Sequence, residues 1–291
     1  MTPATTFALI GAGRVATTVG VLLERAGHRI VAASGRSASR ERVRRYLPQA
    51  RFVPATEAAR AGAVVVLGVV DDVIEPTCAS LAEAGAFRVG QHVLHLSGSM
   101  GIATLSLAAR AGAVTLSLHP LQSFPEVDEG LARMAGSGVA VTSSSEEGLL
   151  FGESLARDLG GVPFRVPDEV KPLYHAAAVF SANYLVVVEA AAERLLGRAG
   201  VPGPLELLRP LARTANERAF DLGPANALTG PAARGDVGAI HRNLAALSEA
   251  APELVAAYRA LAEVASDIAT ESGRLPAEQR LAVREELSRW S

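Results

Sequence analysis

Near the N-terminus, a short apolar run at 7–10 leads directly into the glycine motif Gly11-Ala12-Gly13-Arg14-Val15-Ala16. A strand, a G-x-G-x-x-A turn and a helix start in this order are the pattern of a dinucleotide-binding unit. Such a turn can also exist without a ligand. Here, however, a predicted helix at 14–26, ending at a glycine, and a second strand at 29–33 complete the unit.

Each small residue of this motif has a physical role in the predicted site. Gly11 permits the tight turn, Gly13 lets the backbone approach a pyrophosphate, and Ala16 lets the helix pack closely on the strand. The amides at the helix start then face the phosphates with the positive end of the helix dipole. We therefore predict a Rossmann-like domain whose turn contacts the cofactor through the following residues: Gly11, Ala12, Gly13, Arg14 and Val15.

The stretch after the second strand favours NADP(H) over NAD(H). NAD-binding sites place an acidic residue there to hold the ribose 2′-hydroxyl, whereas positions 32–40 contain no acid. Arg36 can pair with a 2′-phosphate, and Ser34, Ser37 or Ser39 can donate hydrogen bonds to it. Arg40 could add a second charge. The alternative is a solvated basic helix start, since three more arginines follow at 42–45.

Composition limits the class of protein. The 291 residues are 49% hydrophobic and 20% charged, which is typical of a globular chain long enough for two domains. A net charge of −2 gives no reason to expect nucleic acid or an anionic membrane as partner. Cys78 is the only cysteine, so we expect no disulfide framework and no metal site. The apolar runs at 7–10 and 64–70 are too short for a signal peptide or a membrane span, and we expect a cytoplasmic protein.

The order of predicted elements indicates a doubly wound α/β domain followed by an all-helical domain. Strands and helices alternate up to about 165, and the continuous apolar run at 63–70 is typical of a central parallel strand covered on both faces. From 168 onward the pattern is helical, with Pro/Gly breaks at 201–204, 223–224 and 230–231. We predict an NADP-binding Rossmann-like domain at 1–165 and a helical substrate-binding and dimerisation domain at 166–291.

Polar residues at the predicted strand ends are candidates for ligand binding. In an open α/β sheet the ligand lies beyond the carboxyl ends of the strands. We therefore expect Val69 and Val70 to contact the cofactor, and Ser97 and His119, in loops after the next two strands, to contact substrate. His95 alternates with apolar residues and is typical of a core histidine.

The start of the helical domain has the densest group of polar side chains in the chain. Lys171 and His175 are four residues apart and share one helix face, whereas Asn183 lies well round the helix. A lysine can stabilise or protonate the oxygen formed when a hydride reaches a carbonyl, a histidine can share that role, and burial lowers the lysine pKa toward the working range. The alternative is a solvated lysine at a helix edge with a capping histidine.

Several separated motifs together resemble a known family. They are the glycine turn 9–15, His95-Leu96-Ser97-Gly98, Leu118-His119-Pro120-Leu121-Gln122-Ser123-Phe124, the segment 171–183 and Leu228-Thr229-Gly230-Pro231-Ala232-Ala233-Arg234-Gly235-Asp236. The chain resembles a bacterial family of predicted oxidoreductases that joins a Rossmann-like domain to a C-terminal domain of unknown function, within the 6-phosphogluconate dehydrogenase-like superfamily. Relative to the K-x-x-x-N pattern of that superfamily, this chain has His175 in place of the asparagine.

The resemblance implies an NADPH-dependent reductase of a small carbonyl compound, and some family members are thought to be alternative ketopantoate reductases. Lys171 and His175 would then be catalytic, and Ser97, His119, Asn183 and Arg234 would bind substrate. Arg234 could pair with a substrate carboxylate or with an acid of its own chain, such as Asp236. A nucleotide-binding sensor without turnover and a reductase of an imine or a deazaflavin remain alternatives.

The last helices show apolar faces interleaved with charged residues. This pattern is typical of packing or dimer surfaces rather than of chemistry. We expect Leu244, Leu247 and Leu254 to contribute to an apolar surface that pairs two copies of the chain in a homodimer.

Overall fold

The first part of the chain is built on one eight-stranded sheet. The computed structural model describes residues 4–290. Its strands are β1 (Thr6–Ile10), β2 (Arg29–Ser34), β3 (Arg51–Phe52), β4 (Val64–Leu67), β5 (His92–His95), β6 (Val114–Pro120), β7 (Gly138–Ser143) and β8 (Val162–Arg165). They lie in the order β3-β2-β1-β4-β5-β6-β7-β8. All neighbouring pairs are parallel except β6 and β7. The strand order reverses beside β1, because β2 lies on one side of it and β4 on the other, and doubly wound sheets bind their ligands at such a reversal.

Among the described residues, seven α-helices lie between these strands and an eighth follows the last strand. They are α1 (Arg14–Arg25), α2 (Ser37–Tyr46), α3 (Ala55–Ala61), α4 (Asp71–Glu83), α5 (Ser106–Arg110), α6 (Val127–Arg133), α7 (Glu146–Asp158) and α8 (Lys171–Val179). The helical segment between β5 and β6 is divided into a 3-10 turn, Ile102–Leu105, and the short α5. The predicted α/β fold with a helical C-terminal region is confirmed.

The apolar run of β4 explains why the sheet is covered on both sides. All four residues of the strand are buried, and they alternate between two hydrophobic clusters. Val64 and Val66 belong to the cluster that contains Leu9, and Val65 and Leu67 belong to the cluster that contains Ile10. A strand with two buried faces must be apolar at every position, which is the pattern that the sequence shows.

Contacts along the chain define two compact units that divide between Asn183 and Tyr184. The last strand ends at Arg165, the predicted end of the first domain, but α8 belongs to the first unit. The first residue of α8, Lys171, ties this helix to the first unit through hydrogen bonds to Ser97, just after β5, and to Ser117, in β6. The assignment of separate roles to 1–165 and 166–291 stays a prediction.

The second unit is helical throughout its described residues. Its helices are α9 (Leu185–Arg198), α10 (Pro204–Leu222), α11 (Pro224–Ala227), α12 (Pro231–Arg234), α13 (Val237–Ala250), α14 (Val255–Glu271) and α15 (Ala277–Ser288). The Pro/Gly breaks fall between helices, as predicted. The choice of dimer residues was wrong in part, because Leu244 and Leu247 are buried in the unit's own packing and Leu254 is half-buried. The second unit instead exposes apolar side chains of α9 and α10, which contain no buried residue.

Within residues 4–290, one helical stretch, Asp168–Arg198, meets the length and the composition that a membrane-crossing helix needs. The mean hydropathy of its most apolar window is 1.3, and no residue of that window is buried. Length and composition are the criteria that it meets. The expectation of no membrane partner stays a prediction.

Gly68, directly after β4, allows α1 to lie against the sheet. A Cβ at this position would collide with the Cβ of Ala16 and lie 2.7 Å from the carbonyl oxygen of Gly11. We expect Gly68→Ala to lower the free energy of unfolding by about 2 kcal/mol, the usual cost of overpacking a close contact. Urea denaturation measures this effect.

Gly197→Ala is a suitable control, because Gly197 lies inside α9 and a Cβ there would meet nothing within 4 Å. Alanine should stabilise that position by up to about 1 kcal/mol. Equal unfolding free energies for Gly68→Ala and the unmodified protein would contradict the packing argument.

Candidate active site

The glycine turn between β1 and α1 has the backbone conformation that only glycine adopts readily. Gly11 has φ +83°, and a Cβ there would lie 2.6 Å from Cγ1 of Val69. The amides of Gly11 and Ala12 both donate to the carbonyl oxygen of Ser34, at 3.1 and 3.0 Å. The turn is therefore pinned to the end of β2, and the first helical residues follow it directly.

The N-terminus of α1 fits a phosphate group. Gly13 occupies the N-cap position, no side chain caps the helix, and its first turn contains no acid. Arg14 is half-exposed and pairs with Glu126 at 3.3 Å. Uncapped amides at the start of a 12-residue helix, approached by a glycine, are the arrangement that a pyrophosphate requires.

The start of α2 carries the residues predicted to select the dinucleotide. Arg36 is the exposed N-cap residue of α2, and Ser37 and Ser39 lie in its first turn. The guanidinium of Arg40 lies 4.6 Å from the centre of the Phe52 ring, so this arginine is directed to an aromatic contact. Ser34 is buried, and its carbonyl oxygen is occupied by the glycine turn.

Arg42 is a candidate cofactor residue that the sequence reasoning missed. Its Nη1 donates to the carbonyl oxygen of Ala12 at 2.9 Å, so it reaches from α2 to the glycine turn. The signal available in the sequence was its spacing of three residues from Ser39, which places both side chains on one face of α2.

A cavity of about 520 Å³ joins the glycine turn, the start of α2 and the end of β4. Its lining residues are Gly13, Arg14, Val15, Arg36, Ala38, Ser39, Arg42, Gly68, Val69, Val70, Asp71, Leu96, Ser97 and Phe124. The cavity thus contains most of the predicted cofactor residues and extends to Ser97, a predicted substrate residue. One part of the cavity is formed by the glycine turn and the start of α1, and another part contains the polar residues Asp71 and Ser97.

The loop after β5 is held by a carboxylate. Asp71, the first residue of α4, accepts hydrogen bonds from the hydroxyls of Ser97 and Ser99, at 2.8 and 2.6 Å. The Ser97 hydroxyl also accepts from the amides of Ser99 and Met100. It is therefore engaged within the loop, and its role in substrate binding stays a prediction. His95 is fully buried and accepts from the Ser97 amide at 3.2 Å, as expected of a core histidine.

Lys171 is enclosed between the loop after β5 and the middle of β6. Its side chain is 0% exposed, and Nζ donates to the carbonyl oxygen of Ser97 at 3.2 Å and to the hydroxyl of Ser117 at 2.9 Å. Burial lowers the pKa of Lys171 to about 8. Lys171 is also the only lysine in the chain, since the other 27 of the 28 lysine and arginine residues are arginines. A single lysine among 27 arginines is a sequence signal for a special role, because lysine loses its charge readily when burial lowers its pKa, whereas arginine stays charged.

His119 lies next to this lysine, with a tyrosine that the sequence reasoning did not select. The prediction that His119 occupies a loop was wrong, because β6 continues to Pro120 through its antiparallel pairing with β7. Nδ1 of His119 lies 2.7 Å from the hydroxyl oxygen of Tyr174. The ring of His175 is 6.4 Å from that of His119 and is half-buried. The structure therefore brings together Lys171, His119 and His175.

Two predicted substrate residues lie outside this group. Asn183 is exposed in a π-helical turn, Phe180–Tyr184. Arg234, in the second unit, is exposed and donates to the carbonyl oxygen of Thr229, while Asp236 caps α13 by accepting from the amide of Ala239. Arg234 is thus not paired with Asp236, and the roles of both residues in substrate binding stay predictions.

Two family profiles match the chain. Residues 2–120 match a Rossmann-like domain, and residues 137–265 match a domain of unknown function, DUF2520. The fold therefore belongs to the Rossmann-like class of α/β proteins. The chain joins a Rossmann-like domain to a DUF2520 domain, which confirms the family resemblance derived from the motifs.

Solved structures show the same fold at low sequence identity. A candidate NADP oxidoreductase from Bacteroides fragilis is 24% identical, with a TM-score of 0.74, and the match covers 91% of this chain and 98% of that one. A reductive aminase from Aspergillus terreus, in complex with NADPH and ethyl levulinate, is 19% identical, with a TM-score of 0.61 and coverages of 98% and 93%. An imine reductase variant from Myxococcus stipitatus, in complex with NAD⁺, is 16% identical, with a TM-score of 0.60 and coverages of 98% and 99%. No curated protein sequence matches the chain.

Proposed function

We propose that this protein is an NADP(H)-dependent reductase of a small carbonyl compound, with a 2-oxo acid such as ketopantoate as the expected substrate. The observation that carries the proposal is the enclosed Lys171, with its lowered pKa, which donates to Ser97, a residue of the cavity that extends from the glycine turn. NADP(H) rather than NAD(H) is supported by Arg36 and by the absence of an acid after β2. It is also supported by the NADPH complex of the reductase neighbour.

Different residues of the first unit would bind the cofactor and stabilise the charge that develops on the substrate. The glycine turn and the N-terminus of α1 would bind the pyrophosphate, and Arg36 and Ser37 would bind the 2′-phosphate. NADPH, when bound, supplies a hydride at its nicotinamide ring. Lys171 would act through its charge, because its Nζ is enclosed by the Ser97 carbonyl and the Ser117 hydroxyl. A fixed positive charge in a dry site favours the negative charge that develops on a carbonyl oxygen.

Imine reduction is a second candidate function. It is supported by the reductive aminase and imine reductase among the structural neighbours. It is also supported by Asp71, whose carboxylate lines the cavity and would attract a cationic iminium group.

A substrate panel tests the proposal. We expect NADPH oxidation, followed at 340 nm, with at least one member of a panel of 2-oxo acids that includes ketopantoate. Oxidation only with cyclic imines would favour the second candidate. NADPH binding without oxidation by any panel member would contradict turnover and favour a sensor.

A homodimer is expected from the apolar surface of the second unit. Side chains exposed on α9 and α10 include Val186 at 68% and Phe220 at 78%. Large apolar side chains exposed on two helices are often covered by a partner copy in oligomers. Light scattering should give a mass of twice 30.1 kDa.

Val186→Arg should lower the dimer fraction, because it places a charge on that surface. Val89→Arg is the matched control, since Val89 is 84% exposed on the first unit and should leave the mass unchanged. A monomer mass for the unmodified protein at working concentration would rule out the dimer.

A further inference from the structure

Tyr174 reaches from α8 to the ring of His119 in β6. Its hydroxyl oxygen lies 2.7 Å from Nδ1 of His119, and the two rings meet edge to face, with centroids 5.6 Å apart and planes at 86°. The Tyr174 ring also contacts Phe164, at 5.9 Å between centroids. Two ring contacts and one short hydrogen bond therefore hold the hydroxyl against a single nitrogen of the imidazole.

Both groups are neutral near pH 7. Burial, together with the nearby positive charge of Lys171, lowers the pKa of His119 to about 4, so its ring is neutral at pH 7. Burial raises the pKa of Tyr174 to about 12, so the phenol keeps its proton. A neutral imidazole has one donor and one acceptor nitrogen. A phenol can donate or accept at this distance, and the arrangement in which the phenol O–H donates to Nδ1 places the ring proton on Nε2.

The ring of His119 packs against the loop after β5. A Cβ added at Gly98 would lie 2.7 Å from Cε1, 2.8 Å from Nε2 and 3.0 Å from Nδ1 of His119, so only glycine fits against this ring. The preceding residue, Ser97, lines the cavity that fits the dinucleotide. The imidazole is therefore packed on the residue next to Ser97, and a substrate bound in the cavity beside Ser97 would lie near this ring.

We propose that His119 donates the proton to the substrate oxygen through Nε2, and that Tyr174 is a positioning residue that holds His119 in the Nε2–H tautomer. This inference rests on the reductase function proposed above. As the carbonyl carbon gains the hydride of the bound dinucleotide, the electron pair of the C=O π bond forms the new O–H bond with the Nε2 proton. The Tyr174 O–H bond breaks as an Nδ1–H bond forms, so His119 stays neutral. Water then returns a proton to Tyr174, and the net reaction consumes one hydride and one proton.

The first test is Tyr174→Phe, which keeps the ring and its contact with Phe164 but removes the hydroxyl. With a substrate found in the panel, we expect kcat to fall about tenfold while the Kd for NADPH is unchanged. The reason is that His119 can still donate its own N–H proton, but no phenol at position 174 supplies a proton to Nδ1. Tyr46→Phe is the matched control, because it removes a phenol that bonds only to the exposed Asp128. Unchanged kcat in Tyr174→Phe would overturn the proposal.

The second test reads the tautomer directly and does not depend on activity. In ¹⁵N-histidine-labelled protein, which has six histidines, the His119 signals are identified by their loss in His119→Gln. We expect the Nε2–H pattern in the unmodified protein and a mixture of tautomers in Tyr174→Phe. An Nδ1–H pattern in the unmodified protein would overturn the inference. The expected tautomer without turnover of any panel substrate would instead refute the reductase function, and with it the donor role, while leaving the His119–Tyr174 pairing established.

Discussion

Lys171→Met should lower kcat about 100-fold or more and leave the Kd for NADPH nearly unchanged. Methionine has a similar length but carries no charge, so the variant removes the positive charge beside Ser97 and Ser117 and little of the packing. Loss of one group that stabilises the developing oxyanion has an effect of this size. Steady-state kinetics on a panel substrate and fluorescence titration of NADPH measure the two quantities. Normal turnover would make Lys171 a structural residue.

The pH dependence follows from the lowered pKa of Lys171, about 8 against an ordinary 10.5. The side chain is charged below pH 8 and loses its proton as pH rises through that value, so we expect kcat to fall on the alkaline side of 8. In Lys171→Arg this decline should disappear, because a guanidinium stays charged throughout the range. The planar arginine fork should nevertheless lower kcat at every pH, since it does not reproduce the two hydrogen bonds of an ammonium group.

A direct measurement of this pKa is possible because the chain has one lysine. Protein labelled with ¹³C-lysine should give a single set of side-chain signals whose titration midpoint is near 8. A midpoint above 10 would show that the amine is solvated, and the electrostatic role would then be wrong whatever the kinetics of the variants.

Arg36→Ala should weaken NADPH binding by about 10- to 100-fold and leave NADH binding almost unchanged. A charge-assisted hydrogen bond to a phosphate contributes about 1.5–3 kcal/mol. NADH has no 2′-phosphate, so its binding does not depend on this contact. Titration of both dinucleotides with both proteins gives the four dissociation constants. Equal affinities of the unmodified protein for NADPH and NADH would contradict the cofactor assignment.

Two neighbouring arginines make this experiment specific. Arg44→Ala is a control on the same helix, because Arg44 lies in the last turn of α2 and does not line the cavity. Arg42→Ala should weaken both dinucleotides, since Arg42 supports the glycine turn through the Ala12 carbonyl. A loss confined to NADPH in Arg42→Ala would instead place Arg42 at the 2′-phosphate.

Local signals predicted much of the fold. The glycine turn, the apolar run of β4 and the Pro/Gly breaks between the later helices each depend on a few adjacent residues, so their conformations could be inferred from the chain alone. Gly11 is an example, because its left-handed conformation is required by the turn itself. The same reasoning located Lys171 and His175 as a pair on one helix.

Tertiary structure decided which side chains meet. The hydrogen bond from Lys171 to Ser97 joins positions 74 residues apart, and that of His119 with Tyr174 joins positions 55 apart. No local pattern encodes such pairs, because they depend on strand order and on where α8 packs. The extension of β6 through His119 and the burial of Leu244 likewise follow from pairing and packing partners that are distant in sequence. The sequence by itself thus determined the helices, the strands and the glycine turn, because each depends on neighbouring residues. Only the folded chain placed one lysine, buried and hydrogen-bonded, beside a histidine and a tyrosine, because these contacts join residues far apart in sequence.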